Sequence, residues 1–148
     1  MSYSITRYHD ISAGHRVAGH ENKCADLHGH NYRFHFTCTA DTLDVLGRVV
    51  DFSVVKSTLC QWLEGNWDHK FLLWEEDPLW TSGEMFNSYS SSFGIVTVPF
   101  NPTAENMAQY LVDHIGPQLL GGTGVTLVKV VVDETRKCSA TYEKGEAR

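Results

Sequence analysis

Residues 31–40 read NYRFHFTCTA, and this run decides the fold. Tyr32, Phe34, Phe36 and Cys38 alternate with Arg33, His35, Thr37 and Thr39. A period of two sends alternate side chains to opposite faces of an extended strand, so a sheet with one buried and one wet face is predicted. His28 and His30, just upstream, carry the parity of the buried set. The segment from Tyr3 to His15 reads as a second strand, with Ile5, Ile11, Ala13 and His15 on one parity. Between the two lies a loop at 17–27, rich in glycine and charge.

Outward from this pair the pattern changes to a helical period. Asp51-Phe52-Ser53 opens a first helix, with Ser53 as its N-cap and Val55, Leu59, Trp62 and Leu63 on one face. Gly65 is its expected stop. A second helix starts near Asn101-Pro102-Thr103, where a first-turn proline costs no hydrogen bond. Ala104, Ala108, Leu111 and Ile115 form its apolar face, and Gly116-Pro117 is expected to end or kink it. Two closing strands, 125–134 and 138–142, flank a short charged turn. The order is β-β-α-α-β-β, an α+β class, read as one domain over 1–148. It is interrupted at about 75–99 by a loop whose end (Ile95, Val96, Val98) reads as an extra strand.

Bulk properties narrow the function. A hydrophobic content of 42% argues against a disordered chain, and no apolar run is long enough to span a bilayer. The N-terminus is polar and unlike a secretory signal, so a cytoplasmic location is expected by default. Twelve basic against 18 acidic side chains, with no basic cluster, argue against a nucleic-acid partner. Cys24, Cys38, Cys60 and Cys138 form no C-x-x-C pair and are expected to be reduced.

The chemistry-bearing residues concentrate in Cys24-Ala-Asp-Leu-His28-Gly-His30. Two histidines two apart on a strand project to the same side and can share one ion. His15 ends the first strand nearby and supplies a third imidazole. Three neutral imidazoles leave a fourth position open, as catalytic zinc requires, although nickel, copper and iron(II) also accept imidazole. An isolated H-x-H is commonly a surface or core pair, and the upstream histidine and adjacent cysteine are what favour a metal here. Cys24 reads either as a ligand or as a base whose thiol the metal acidifies. Asp68-His69 resembles an acid orienting a proton carrier, although a helix-exit acid beside a surface histidine is the plainer reading. Glu134 ends an apolar strand with the parity of Val128, Val130 and Val132. An inward carboxylate must be paired or bind something, and its geometry matches a guanidine-like edge. Glu105, in the first turn of the second helix, suits the helix dipole.

Four ordered runs, AGHRV…KCADLHGHNY, WDHKFL, NPTAEN and DETRKCSATY, resemble the signature of the 6-pyruvoyl/6-carboxy-tetrahydropterin synthase family. The resemblance covers about 5–142. It implies a tunnelling fold: a four-stranded antiparallel sheet with two helices on one face, subunits joined into a barrel, and a homohexamer built as a dimer of trimers. It implies Zn2+ on His15, His28 and His30, with Cys24 as catalytic thiol and Asp68 and His69 as its relay across a subunit interface. It implies Glu134 as pterin anchor, backbone near Thr103 assisting, and Glu105 as a recurring acid. The C-x-x-x-H-G-H spacing resembles the 6-carboxytetrahydropterin synthases of queuosine and deazapurine synthesis. They convert 7,8-dihydroneopterin triphosphate to the 6-carboxy product, acetaldehyde and triphosphate. Arg16, Lys23 and Lys70 are the expected triphosphate cations. The alternatives are a 6-pyruvoyl synthase, a pterin aldolase and a non-catalytic zinc protein.

Overall fold

The computed structural model describes residues 3–83 and 94–145. The two strands read from the alternation are present as β1 (Tyr3–His15) and β2 (His28–Ala40), antiparallel along their whole length. Tyr3 faces Ala40 and His15 faces His28. A first helix, α1, is continuous over 52–66, with one wide turn at Lys56–Cys60. β3 (Phe71–Trp74), a short helix α2 (Pro78–Thr81) and β4 (Ile95–Val98) follow. A long helix α3 over 104–120, wide at Leu111–Ile115, leads to β5 (Val125–Asp133) and β6 (Ser139–Glu143).

The sheet order is β4-β3-β1-β2-β5-β6. Inward side chains of β1, β2 and β5 (Ile11, Tyr32, Phe34, Phe36, Val130, Val132) pack with Val55, Leu59 and Leu63 of α1 and with Met107, Ala108 and Leu111 of α3. Both helices therefore cover one face, and the core lies between the two layers. No helix among the described residues is long and apolar enough to cross a membrane.

Several expectations change in the structure. The sheet has six strands, not four, and its two additions are parallel: β3 pairs with β1, and β4 with β3. Phe71-Leu-Leu-Trp74 escaped a reading based on alternation because Leu72 and Leu73 are both buried, so the run shows no polar phase. The strand-like end of the 75–99 segment is β4, as expected, while the Ser/Gly-rich centre of that segment lies outside the described residues at 84–93. Asp51, not Ser53, caps α1, its carboxylate accepting from Ser53 N–H at 2.8 Å. Gly65 stays helical, and the left-handed residue beyond the helix is His69 (φ 58°). Pro117 does not end α3. The wide turn just before it relieves the clash its ring would make one turn back. Gly116 is needed for packing, since a Cβ there would lie 2.9 Å from that of Leu127.

One register detail positions the site. Thr37 pairs with Lys129 but Cys38 pairs with Leu127, so Val128 is an extra residue in a bulge. Leu127, rather than Val128, points inward with Val130 and Val132.

Candidate metal centre and active site

The antiparallel register fixes the histidine cluster. Because His15 faces His28 at the end of the β1–β2 ladder, and His30 follows two residues on, all three rings stand on the helix-covered face. Their centroids are 4.5 Å (His15–His28), 4.9 Å (His28–His30) and 5.2 Å (His15–His30) apart. One ligand nitrogen from each lies within 4.8 Å of the other two. The glycines between them serve the opposite face. Gly14 faces Gly29, and a Cβ on Gly14 would sit 2.5 Å from the Phe71 ring.

Backbone carbonyls set the tautomers. His15 Nδ1 donates to Pro102 O at 2.6 Å, and His28 Nδ1 donates to Asp26 O at 2.7 Å. Each leaves Nε2 as a free lone pair, the arrangement a ligating imidazole needs. Nε2 of His15 and of His30 are buried and have no hydrogen-bond partner among the described residues. Burial holds both imidazoles below the usual histidine range, so both favour the neutral form that binds metal. Tetrahedral zinc needs nitrogens roughly 3.4 Å apart, so this donor set fits a small divalent ion with little movement.

Glu134 is the neighbour of this cluster. Its Oε1 lies 3.3 Å from His30 Nε2, off the line of a hydrogen bond, and the two form an ion pair only where His30 is protonated. The same carboxylate lines a cavity of about 370 Å³ with Ala104, Glu105, Cys138 and Ser139. Glu134 and Glu105 thus share one pocket, and Glu134 joins that pocket to the histidines.

The loop carrying Cys24 is tied down at several points. Val17 N–H donates to Cys24 O at 2.7 Å, and Lys23–Ala25 form a single tight turn. Asn101 accepts from Ala18 N–H and donates to Ala18 O, at 3.0 and 2.9 Å. Asn106 Nδ2 in turn donates to Asn101 O. The Asn-Pro-Thr run therefore clamps the site: Asn101 holds the loop, Pro102 O orients His15, and Thr103 caps α3 through Asn106 N–H. Thr103 N–H is itself committed to Asn101 O. No signal for the Asn101 clamp or the Pro102 carbonyl was visible in the sequence, because each pairs a side chain with a backbone atom more than 80 residues away.

Arg16, expected among the triphosphate cations, donates from Nε to Asp77 Oδ2 at 2.7 Å. Asp77 is fully buried and also caps α2 through Leu79 N–H. The guanidinium is held by a buried carboxylate and braces the residue next to His15.

Asp68 and His69 do contact each other, at 3.0 Å between Oδ2 and Nδ1. His69 holds this contact from a left-handed backbone position. Burial raises the Asp68 carboxyl, but the Ser12 N–H and His69 outweigh it and hold it below the usual range. The pair does not meet Cys24. It lines a cavity of about 730 Å³ with Ser12, Asn31 and Arg33, whose parity puts them on the helix-free face. His69 is 80% exposed there. Among the described residues, no contact links Cys24 to either.

Comparison with known proteins bears on the family and the fold. The model of the family described as 6-pyruvoyl tetrahydropterin synthase matches residues 4–145. A relative from Rickettsia typhi named 6-carboxy-5,6,7,8-tetrahydropterin synthase is 37% identical over 133 residues, covering 90% of this chain and 94% of its own. An uncharacterised protein from Wolinella succinogenes superposes with a TM-score of 0.83 at 22% identity, over 98% of this chain and 99% of that one. The 6-pyruvoyl tetrahydropterin synthase of Caenorhabditis elegans superposes with a TM-score of 0.66 at 22% identity, over 98% and 97%. The two structures establish the fold.

Proposed function

We propose that this chain, which belongs to the 6-pyruvoyl tetrahydropterin synthase family, is a zinc-dependent 6-carboxy-5,6,7,8-tetrahydropterin synthase. Its substrate in this reading is 7,8-dihydroneopterin triphosphate, and its products are 6-carboxytetrahydropterin, acetaldehyde and triphosphate. The observation that carries the reading is the convergence of three imidazoles beside a pocket with an inward carboxylate. The Rickettsia typhi relative's name and the C-x-x-x-H-G-H spacing favour the 6-carboxy product. The product would feed queuosine and deazapurine synthesis.

His15, His28 and His30 hold the ion. When bound, zinc acidifies side-chain hydroxyls and offsets negative charge developing on oxygen. Glu134 takes the paired N–H donors of the pterin edge, with Glu105 and backbone near Thr103 at the rim of the same pocket. Cys24 carries the proton of the substrate side chain. Its relay partners are a neighbouring subunit's Asp68 and His69, which explains why this pair lies on the helix-free face of its own sheet. β4 and β6 are the two edge strands of that sheet and can pair with other copies, in keeping with a barrel and a homohexamer.

The test is incubation of zinc-loaded protein with dihydroneopterin triphosphate and identification of products by mass. The 6-carboxy compound and acetaldehyde are expected. A 6-pyruvoyl or 6-hydroxymethyl product would reassign the reaction within the family. Metal binding with no turnover of any neopterin would leave only a zinc-binding protein.

A further inference from the structure

Tyr32 is a buried polar group that the mechanism above leaves unused. It occupies the inward row of β2, directly after His28 and His30 and before Phe34 and Phe36. Its side chain is 1% exposed, and its ring meets those of His15 and His30 edge-on at 5.8 and 5.4 Å. Its hydroxyl has no hydrogen-bond partner among the described residues. A phenylalanine would fill this row without that cost, because a buried unpaired hydroxyl destabilises the fold. The hydroxyl therefore serves an occupant of the site. It is a donor set beside two of the three histidines.

We propose that the Tyr32 hydroxyl donates a hydrogen bond to N5 of the bound dihydropterin, a contact that rests on the pterin reading given above. Glu134 takes the donor edge of the heterocycle, and the histidine cluster serves the side chain attached at C6. N5 lies between these ends. In a 7,8-dihydropterin it is an imine nitrogen, with a lone pair and no hydrogen to give. When the Cys24 thiolate takes the proton from the side-chain carbon beside C6, that C–H bond breaks and its electron pair delocalises through C6=N5 onto N5. A fixed neutral donor stabilises this charge as it develops, without reorganising.

The experiment compares the zinc-loaded full chain with its Tyr32→Phe variant. kcat is expected to fall about 100-fold, the scale of losing one preorganised donor. Zinc content should not change, and Tm should hold or rise, because the variant removes an unpaired buried hydroxyl. Binding of 7,8-dihydroneopterin and of its 5-deaza analogue, by calorimetry, gives a second readout. The normal protein should prefer the parent compound by about tenfold, and the variant should bind the two alike. A variant that keeps the preference, or keeps kcat within about twofold, overturns the assignment while leaving the pterin reading intact. A fall in Tm overturns it in favour of a packing role. If the unsubstituted protein binds neither compound, the assignment and the pterin reading both fail.

Discussion

Asn101 offers the clearest measure of how the site is held. Its side chain makes two hydrogen bonds to Ala18, one accepted and one donated, on the loop that presents Cys24. Each is partly buried and is worth about 1 kcal/mol net, so Asn101→Ala should cost about 2 kcal/mol. For a chain of this size that lowers Tm by about 4–8 °C. The loop also loses its fixed position, and misplacing a catalytic group by about 1 Å can cost up to 100-fold in rate. Zinc should stay, because the Pro102 carbonyl, not the Asn101 side chain, orients His15. Asn101→Asp is the sharper variant. It keeps the shape and can still accept from Ala18 N–H, but it sets a carboxylate against the Ala18 carbonyl, so it should be at least as unstable as the alanine variant. The assays are thermal unfolding, metal content by emission spectroscopy and steady-state turnover. Unchanged Tm with full activity would refute the clamp, and zinc lost in step with activity would show that Asn101 supports the histidines instead.

Cys24→Ala should keep fold and zinc yet lose turnover, and near-normal activity would end the thiol's proposed role. His28→Ala should lose zinc, which metal analysis after dialysis will show. The metal-free protein should weaken in acid: His15 and His30 titrate below their unfolded value of about 6.5, so the unfolded chain gains protons first and stability falls as pH drops through and below that value. Urea midpoints of stripped protein above and below that pH will measure it, and a flat profile would contradict the burial argument. Arg16→Ala should cost about 3 kcal/mol and exceed Asp77→Asn, because it strands a fully buried carboxylate, whereas an arginine left alone at 20% exposure can reach water; equal urea midpoints would contradict it.

The sequence carried those parts of the fold that follow a local period. Tyr32, Phe34, Phe36 and Cys38 declared β2 by alternation, and Ala104, Ala108, Leu111 and Ile115 declared α3, so both elements and the helix-covered face were legible. Phe71–Trp74 was not, because a strand buried on both faces has no alternation to read. The bulge at Val128 was equally hidden: which residue is extra depends on the partner strand, and nothing in 125–134 alone distinguishes Val128 from Leu127. At the site, parity placed His28 and His30 together, whereas His15 required the register. His15 faces His28 only because β1 and β2 pair along all 13 residues, and one residue of slip would turn every β1 side chain to the other face.

That dependence links the core to the metal centre. The inward row of β2 runs His28, His30, Tyr32, Phe34, Phe36, Cys38, passing from ligand to hydrocarbon without a break in phase. The apolar end fixes the register, since Phe34, Phe36 and Cys38 are all fully buried and a slip would expose them. The polar end inherits that register. Ligand placement is thus set by hydrophobic burial some 20 Å along the strand at about 3.3 Å per residue, and the carbonyls of Asp26 and Pro102 need only turn rings that the sheet has already brought together. A core substitution that leaves the fold intact but loosens pairing near Phe36 should therefore reach the histidines through register, before any ligand is touched.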